Sequence, residues 1–470
     1  MFQNTNKLNL YFFIYYCTTV STFLYFGYPL AQGDDLFFTG TAAWFAKYNQ
    51  FENPLAHDLL RQLNEYNYKP YWFVTFYPWI LGWWLKITGV SNLSILIFVN
   101  GYTLLSILAI DRIINIIKGH QICKFIIPFV IYFGFTNSLR PDGLGITFYL
   151  IGLLYLLKTN QKNYYQLLSF LFMGLACITW HYLLGFVVSS VLFWNVLNYN
   201  AINLKFYFIK LFLDSVISFI IIFTLFLLTI DFELTHFIDV FWKSINFRRG
   251  TSSFIDTFNL LCFGNGYFFR LPVVIISGLI TIYLLYRGLS ILTKITLILN
   301  FSIISGIMLY SNSFHAIILI SFINILLVIS KMKSLLMIKL SLSITFFFLI
   351  LNGGTTFLLT KLFSETETNI DSVTKENIIS KYGVNKTFVI DSISARTVFN
   401  WDFPPKTLMG PGSAAKDSDI SDKDKEEIWV VSNVYLAHTY PKLYSTEKLT
   451  LFGRKFGTIP TSKNRIIIIE

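Results

Sequence analysis

Two aspartates stand side by side, Asp34 and Asp35, just beyond a long apolar run from Leu8 to Leu30. A carboxylate so close to an apolar environment loses part of its hydration, which raises its pKa. It can then take a proton from an attacking hydroxyl, general-base help typically worth about 100- to 10,000-fold in rate. A plain solvated turn at a helix end explains the same pair, and position alone does not separate the two readings. A second acidic turn, Arg140-Pro141-Asp142-Gly143, carries the same ambiguity: an ion pair closing a tight loop, or a further acid with chemical work to do. His181, in Thr179-Trp180-His181-Tyr182, and His236 offer imidazoles for a metal or a sugar hydroxyl, and equally for a structural hydrogen bond.

The elements that position these residues follow from composition. A chain of 470 residues that is 54% hydrophobic, 18% aromatic and 13% charged has more apolar surface than one soluble core can hide. The expected fold is an all-α polytopic membrane protein followed by a small soluble α/β or α+β domain. Eleven spans are drawn at roughly 9–30, 92–117, 122–136, 144–157, 165–181, 183–199, 206–230, 269–286, 294–310, 313–330 and 340–359. The first run lacks a small-residue cleavage site and reads as a retained helix.

Alternation from a cytoplasmic N-terminus puts Lys7, Lys118, Lys124, Lys158, Lys162, Lys205, Lys210, Arg287, Lys294, Lys331, Lys333 and Lys339 on one side, which is therefore the cytoplasmic one. The parity holds only if Gln166 to Asn200 forms a hairpin of two short helices rather than one long helix. This distribution explains the formal charge of +11 and excludes nucleic acid as the partner. High Ile, Asn and Lys usage points to an AT-rich genome, and so to a bacterial plasma membrane.

The other side receives the loop 31–91, the Leu139 to Gly143 turn, the loop from Asp231 to Tyr267, and the segment 361–470, which follows the transmembrane domain 1–360. About sixty residues are too many for a simple connection. Asn53-Pro54 opens an amphipathic helix with Leu55, Leu59, Leu63 and Tyr66 on one face; Leu36 to Tyr48 and the aromatic Tyr71 to Ile87 form further surface helices at the headgroup level. In the last segment, Thr387-Phe-Val-Ile, Ile428-Trp-Val-Val and Arg465-Ile-Ile-Ile-Ile read as strands between turn-rich stretches.

The acidic pair after the first helix, then Tyr66-Asn-Tyr-Lys69-Pro70-Tyr-Trp, the aromatic run ending Trp83-Trp84-Leu-Lys-Ile-Thr-Gly, and Arg140-Pro141-Asp142 in that order resemble the GT-C membrane glycosyltransferases of the protein O-mannosyltransferase and aminoarabinose-transferase type. The resemblance covers chiefly the first 200 residues. The pair is Asp-Asp where the family usually has Asp-Glu, and Lys69 is followed by one proline where the family has two.

What the resemblance implies is inverting transfer of a sugar from a polyprenyl-phosphate donor, on the external face, to a cell-surface polysaccharide, lipopolysaccharide or protein. Asp34 or Asp35 is then the base. Lys69 and Arg140, with Arg248 and Arg249 as alternatives, meet the phosphate, and Asp142, His181 and His236 serve the acceptor or a divalent metal. Arg248 and Arg249 equally fit anionic lipid headgroups. A polysaccharide polymerase or ligase is the nearest rival, and transport is weaker because the two halves do not match. Asp417-Ser-Asp419 and Asp422-Lys-Asp424 sit in a charged run and read as solvated loop. No Walker, dinucleotide, HExxH or GxSxG signature occurs.

Overall fold

A computed structural model describes residues 2–29, 36–53, 69–134, 139–159, 161–162, 164–197, 204–249, 270–288, 290–309, 314–351, 374–390, 394–395, 398–400, 407–409, 427–432, 450–451, 454–455 and 466–469. The chain is predominantly helical. In order come α1 (Phe2–Tyr25), α2 (Leu36–Tyr48), α3 (Phe76–Thr88), α4 (Asn92–Ile116), a 3-10 turn (Gln121–Ile126) running into α5 (Ile127–Gly134), α6 (Pro141–Leu156) and α7 (Tyr165–Thr179). A second 3-10 turn (His181–Leu183) leads to α8 (Leu184–Leu197), then α9 (Leu204–Thr229), α10 (Leu234–Arg249), α11 (Arg270–Arg287), α12 (Ile291–Leu309), α13 (Phe314–Ile329), α14 (Leu335–Leu349) and α15 (Lys375–Tyr382).

Helix ends follow local chemistry. The Ser91 and Ser334 hydroxyls accept from the amides of Ser94 and Met337, capping α4 and α14. Pro141 stands in the first turn of α6, where its missing N–H costs nothing. The segment 166–200 is two helices. Trp180 adopts extended backbone (φ −147°, ψ 97°), and the Trp194 indole donates to the Thr159 hydroxyl at 3.2 Å, so α8 returns to the end from which α7 starts.

Hydrogen bonds between elements sort into two ends of this bundle. At one, His120 N–H donates to the Ser330 carbonyl (2.6 Å) and the Lys294 ammonium to the Leu197 carbonyl (2.8 Å). At the other, the Asn100 amide joins the Tyr28 carbonyl and the Tyr132 hydroxyl, Tyr77 donates to the Leu139 carbonyl, and Thr75 meets Thr229. Lys118, Lys162, Arg287, Lys331, Lys333 and Lys339 are exposed in helix ends and turns belonging to the first end. Lys124 belongs to the same end, in the turn after His120, but is buried there. Its ammonium lies 2.9 Å from the Asp111 carboxylate, which also accepts from Tyr16 (3.0 Å) and Asn115 (3.2 Å). A buried charge needs such a partner, because desolvation otherwise forbids it.

Two described helices, Asn92–Ile116 and Ile209–Thr229, are long and apolar enough to cross a membrane, and eight shorter stretches are apolar over 10–17 residues. The outer surface is apolar as well: Phe212, Phe219 and Ile220 on α9, Leu279 and Ile282 on α11, and Leu336 and Phe347 on α14 are all exposed. Inside, α6 and α7 approach closely at Gly152, whose carbonyl accepts from Ser169 (2.9 Å). A Cβ there would lie 2.7 Å from the Met173 side chain and 3.2 Å from its backbone nitrogen. Gly152→Ala is therefore expected to cost about 1–3 kcal/mol, read as a lower melting temperature in detergent; an unchanged one would show this contact to be loose.

The helix expected at Leu36 to Tyr48 is present as α2, but its residues 38–45, Trp44 and Phe45 included, are buried in protein and do not form a surface face. The aromatic stretch 71–87 differs from expectation. Residues 71–75 are not helical, and Tyr71, Trp72, Phe73, Phe76 and Tyr77 are buried in protein instead of lying at a headgroup surface. Phe38 of α2 packs edge-on against Phe73 (5.3 Å) and Tyr77 (6.4 Å), so these rings are the glue of the loop itself. The expected surface helix after Asn53 falls in 54–68, outside the described residues.

The three expected strand runs are strands. The strands β1 (Thr387–Ile390), β2 (Thr407–Met409), β3 (Glu427–Ser432), β4 (Thr450–Leu451), β5 (Arg454–Lys455) and β6 (Ile466–Ile469) include a four-stranded sheet of order β2-β1-β3-β6, parallel except for β6. Phe388, Ile390, Phe399 and Val430 continue the apolar core of the helices, and the Asn92 amide donates to the Asn400 side chain (2.9 Å). The turn at 398–400 thus meets the start of α4.

Candidate functional site

The polar end that carries Tyr77, Thr75 and Leu139 also holds the described site residues. Its centre is a non-helical strap of turns and bends, 69–75, laid across the turn between α9 and α10. The Thr75 and Thr229 hydroxyls are 2.7 Å apart, Ser244 donates to the Trp72 carbonyl (2.9 Å), and Tyr71 donates to the Glu233 carboxylate (2.9 Å) with the Ile230 carbonyl at 3.0 Å. The strap ends at Lys69, 18% exposed, whose ammonium lies 3.5 Å from the exposed Asp231 carboxylate.

Between strap and turn opens a recess of about 730 Å³, lined by Glu52, Lys69, Phe232, Glu233, Leu234, Thr235 and His236. That size falls within the roughly 300–1,000 Å³ common for small-molecule sites. His236 packs edge-on against Tyr71 at 5.4 Å. His181 lies deeper, in a ring cluster with Phe73 (4.7 Å), Tyr182 (4.1 Å) and Phe241 (5.2 Å).

Arg140 and Asp142 form their own unit at the start of α6. Asp142 is 1% exposed, accepts from the Gly143 amide (3.2 Å), and has its other oxygen 3.9 Å from the Arg140 guanidinium. A carboxylate in the first turn of a helix is favoured by the helix dipole. Gly143 admits no side chain, since a Cβ would meet the Tyr102 ring and hydroxyl at 2.9 Å. The Tyr77 hydroxyl, donating to the Leu139 carbonyl at 2.8 Å, ties α3 to this turn.

Lys69 and His236 are therefore brought together in one recess, and Arg140 and Asp142 are paired with each other at the same end of the bundle. His181 sits among rings. Asp34 and Asp35 lie outside the described residues, and of Arg248 and Arg249 only their place at the end of α10 is described. Among the described residues, no three His, Cys, Asp or Glu side chains gather to hold a metal ion.

Comparison with protein-family models, with curated proteins and with solved structures returns no match. The functional reading therefore rests on this chain's own residues.

Glu52, Phe232, Glu233 and Thr235 do not stand out in the sequence, and Tyr71 stands out there only as a headgroup-level aromatic. A signal for two of them was present. Asp231-Phe232-Glu233 ends the apolar α9, just as Asp34-Asp35 ends the first apolar run, and an acidic turn where an apolar helix stops was the criterion applied there. Glu52, by contrast, reaches the recess only through the fold of the first loop.

Proposed function

We propose that the chain is a multi-pass membrane glycosyltransferase that moves a sugar from a polyprenyl-phosphate donor to an acceptor at the external face. In this reading the eleven helical stretches cross the membrane, the N-terminus is cytoplasmic, and 361–470 forms an external domain. The exposed apolar surface of α9, α11 and α14 supports a lipid environment, since contiguous apolar surface of that extent is rare in water.

The observation that carries the reading is the shared location of the Arg140–Asp142 turn and the Lys69 recess at one end of the bundle, opposite the end that carries the exposed lysines. A substrate whose tail is lipid and whose head is a phosphosugar would arrive at that end from the side. Arg140 keeps its assignment to the donor phosphate: its planar guanidinium matches phosphate oxygens, and its location at the start of α6 adds the positive end of a helix dipole. One of Asp34 and Asp35 deprotonates the acceptor hydroxyl as it attacks the anomeric carbon, and the donor phosphate leaves.

The direct test is transfer by purified protein from a panel of labelled polyprenyl-phosphate sugars. Transfer with inversion supports the reading. No transfer from a broad donor panel, with assembly of longer chains from lipid-linked oligosaccharides instead, moves the assignment to a polymerase or ligase.

A further inference from the structure

We propose that the recess between the 69–75 strap and the start of α10 is the subsite for an uncharged sugar ring of the acceptor, and not the place of the donor's phosphate. The inference rests on the glycosyltransferase reading and corrects the role expected for Lys69.

Charge gives the first argument. Glu52 and Glu233 line the recess and Asp231, beside it, stands 3.5 Å from Lys69, so among the described residues three carboxylates surround one ammonium. A phosphate carries negative charge into that field and is repelled. A polyhydroxylated ring is not. Its hydroxyls donate to the carboxylates of Glu52 and Glu233 and accept from Lys69 and the Thr235 hydroxyl, a complementary set of donors and acceptors.

The second argument is Phe232. Asp231 (φ 50°) and Phe232 (φ 61°) both stand in the left-handed region, a costly conformation for residues with side chains and one that a glycine would adopt freely. The fold keeps a phenylalanine there, 62% exposed and on the wall of the recess. An aromatic ring held beside carboxylates gives the apolar C–H face of a sugar something to pack on while its edge is hydrogen-bonded. Strain of this kind points to function when the strained side chain faces a site. Glu233 is also held in place, through the hydroxyl of Tyr71 at 2.9 Å.

The experiment uses full-length protein in lipid nanodiscs at pH 7.5. Binding of neutral hexose oligosaccharides is followed by saturation-transfer NMR and calorimetry, with inorganic phosphate as the competing probe. Wild type is expected to bind a neutral oligosaccharide that phosphate does not displace. Phe232→Ala and Glu233→Gln should each weaken binding about 10-fold or more, whereas Phe232→Trp, which keeps an aromatic face, should retain it. Displacement of the sugar by phosphate, wild-type binding by both weakening variants, or absence of any neutral-sugar binding overturns the proposal. Because the readout is binding, it is independent of transfer. Sugar bound at this recess without transfer from any donor refutes the glycosyltransferase reading alone, and transfer with a recess indifferent to these variants refutes the subsite alone.

Discussion

Replacing Asp34 by asparagine in the full-length protein is expected to lower sugar transfer by about 100- to 10,000-fold while leaving donor affinity nearly unchanged. Asparagine keeps the shape and removes only the ability to accept a proton, so the loss belongs in kcat. Asp35→Asn is the paired measurement: the base is the residue whose replacement gives the larger loss, with Asp34 favoured. The residue after this pair, Leu36, begins α2, whose Phe38 packs on Phe73 of the strap and Tyr77 of α3. Wild-type rates in both variants, with melting temperatures unchanged, would remove the first-loop acids from the mechanism and leave Asp142 as the acid to test next.

The second large effect concerns stability. Lys124→Met leaves the Asp111 carboxylate buried without its cation, and is expected to destabilise the protein by about 3–5 kcal/mol. The side chain of Lys124 is fully buried and its ammonium lies 2.9 Å from Asp111, so water cannot replace it. Asp111→Leu strands the ammonium and should cost a similar amount. The double replacement Lys124→Met with Asp111→Leu removes both charges and should recover most of the loss, as apolar substitutes for buried ion pairs commonly do. Thermal unfolding of the four proteins in one detergent measures the coupling. Purely additive losses would mean that the two groups do not depend on each other.

These two predictions mark where sequence reasoning reached and where it stopped. Helices were legible because apolar runs are long: the span drawn at 92–117 is α4, whereas α6 and α14 start at Pro141 and Leu335, ahead of the expected 144 and 340, because Pro141 and the Ser334 cap set those ends. The hairpin at 166–200 was legible from lysine parity, and its break at Trp180 has a backbone signature. The burial of Lys124 was not legible, because a lysine near a helix end looks the same in sequence whether it faces water or a carboxylate; Asp111 is only 13 residues away along the chain, but it takes the packing of the turn after α4 to bring the two together. Tyr71 to Tyr77 failed for a related reason, since aromatic rings suit a headgroup layer and a protein interior equally well. The recess was hidden because Glu52, Lys69 and Glu233 are remote in sequence and meet only when the strap crosses the α9–α10 turn.

If α7 and α8 cross a membrane as proposed, the break at Trp180 has a mechanical consequence for the bilayer around them. Helix α7 has 15 residues and α8 has 14, so each extends only about 22 Å. A typical hydrocarbon layer is about 30 Å thick, and it accommodates short helices by thinning around them. On the side of the protein where this hairpin lies, the lipid would be dimpled, drawing the two water boundaries together. His181, at the tip of the hairpin, contacts Phe241 of α10, the helix whose first turn walls the recess. The depression would therefore lie beside the polar end, and a lipid-borne head group would climb a shorter distance to reach it.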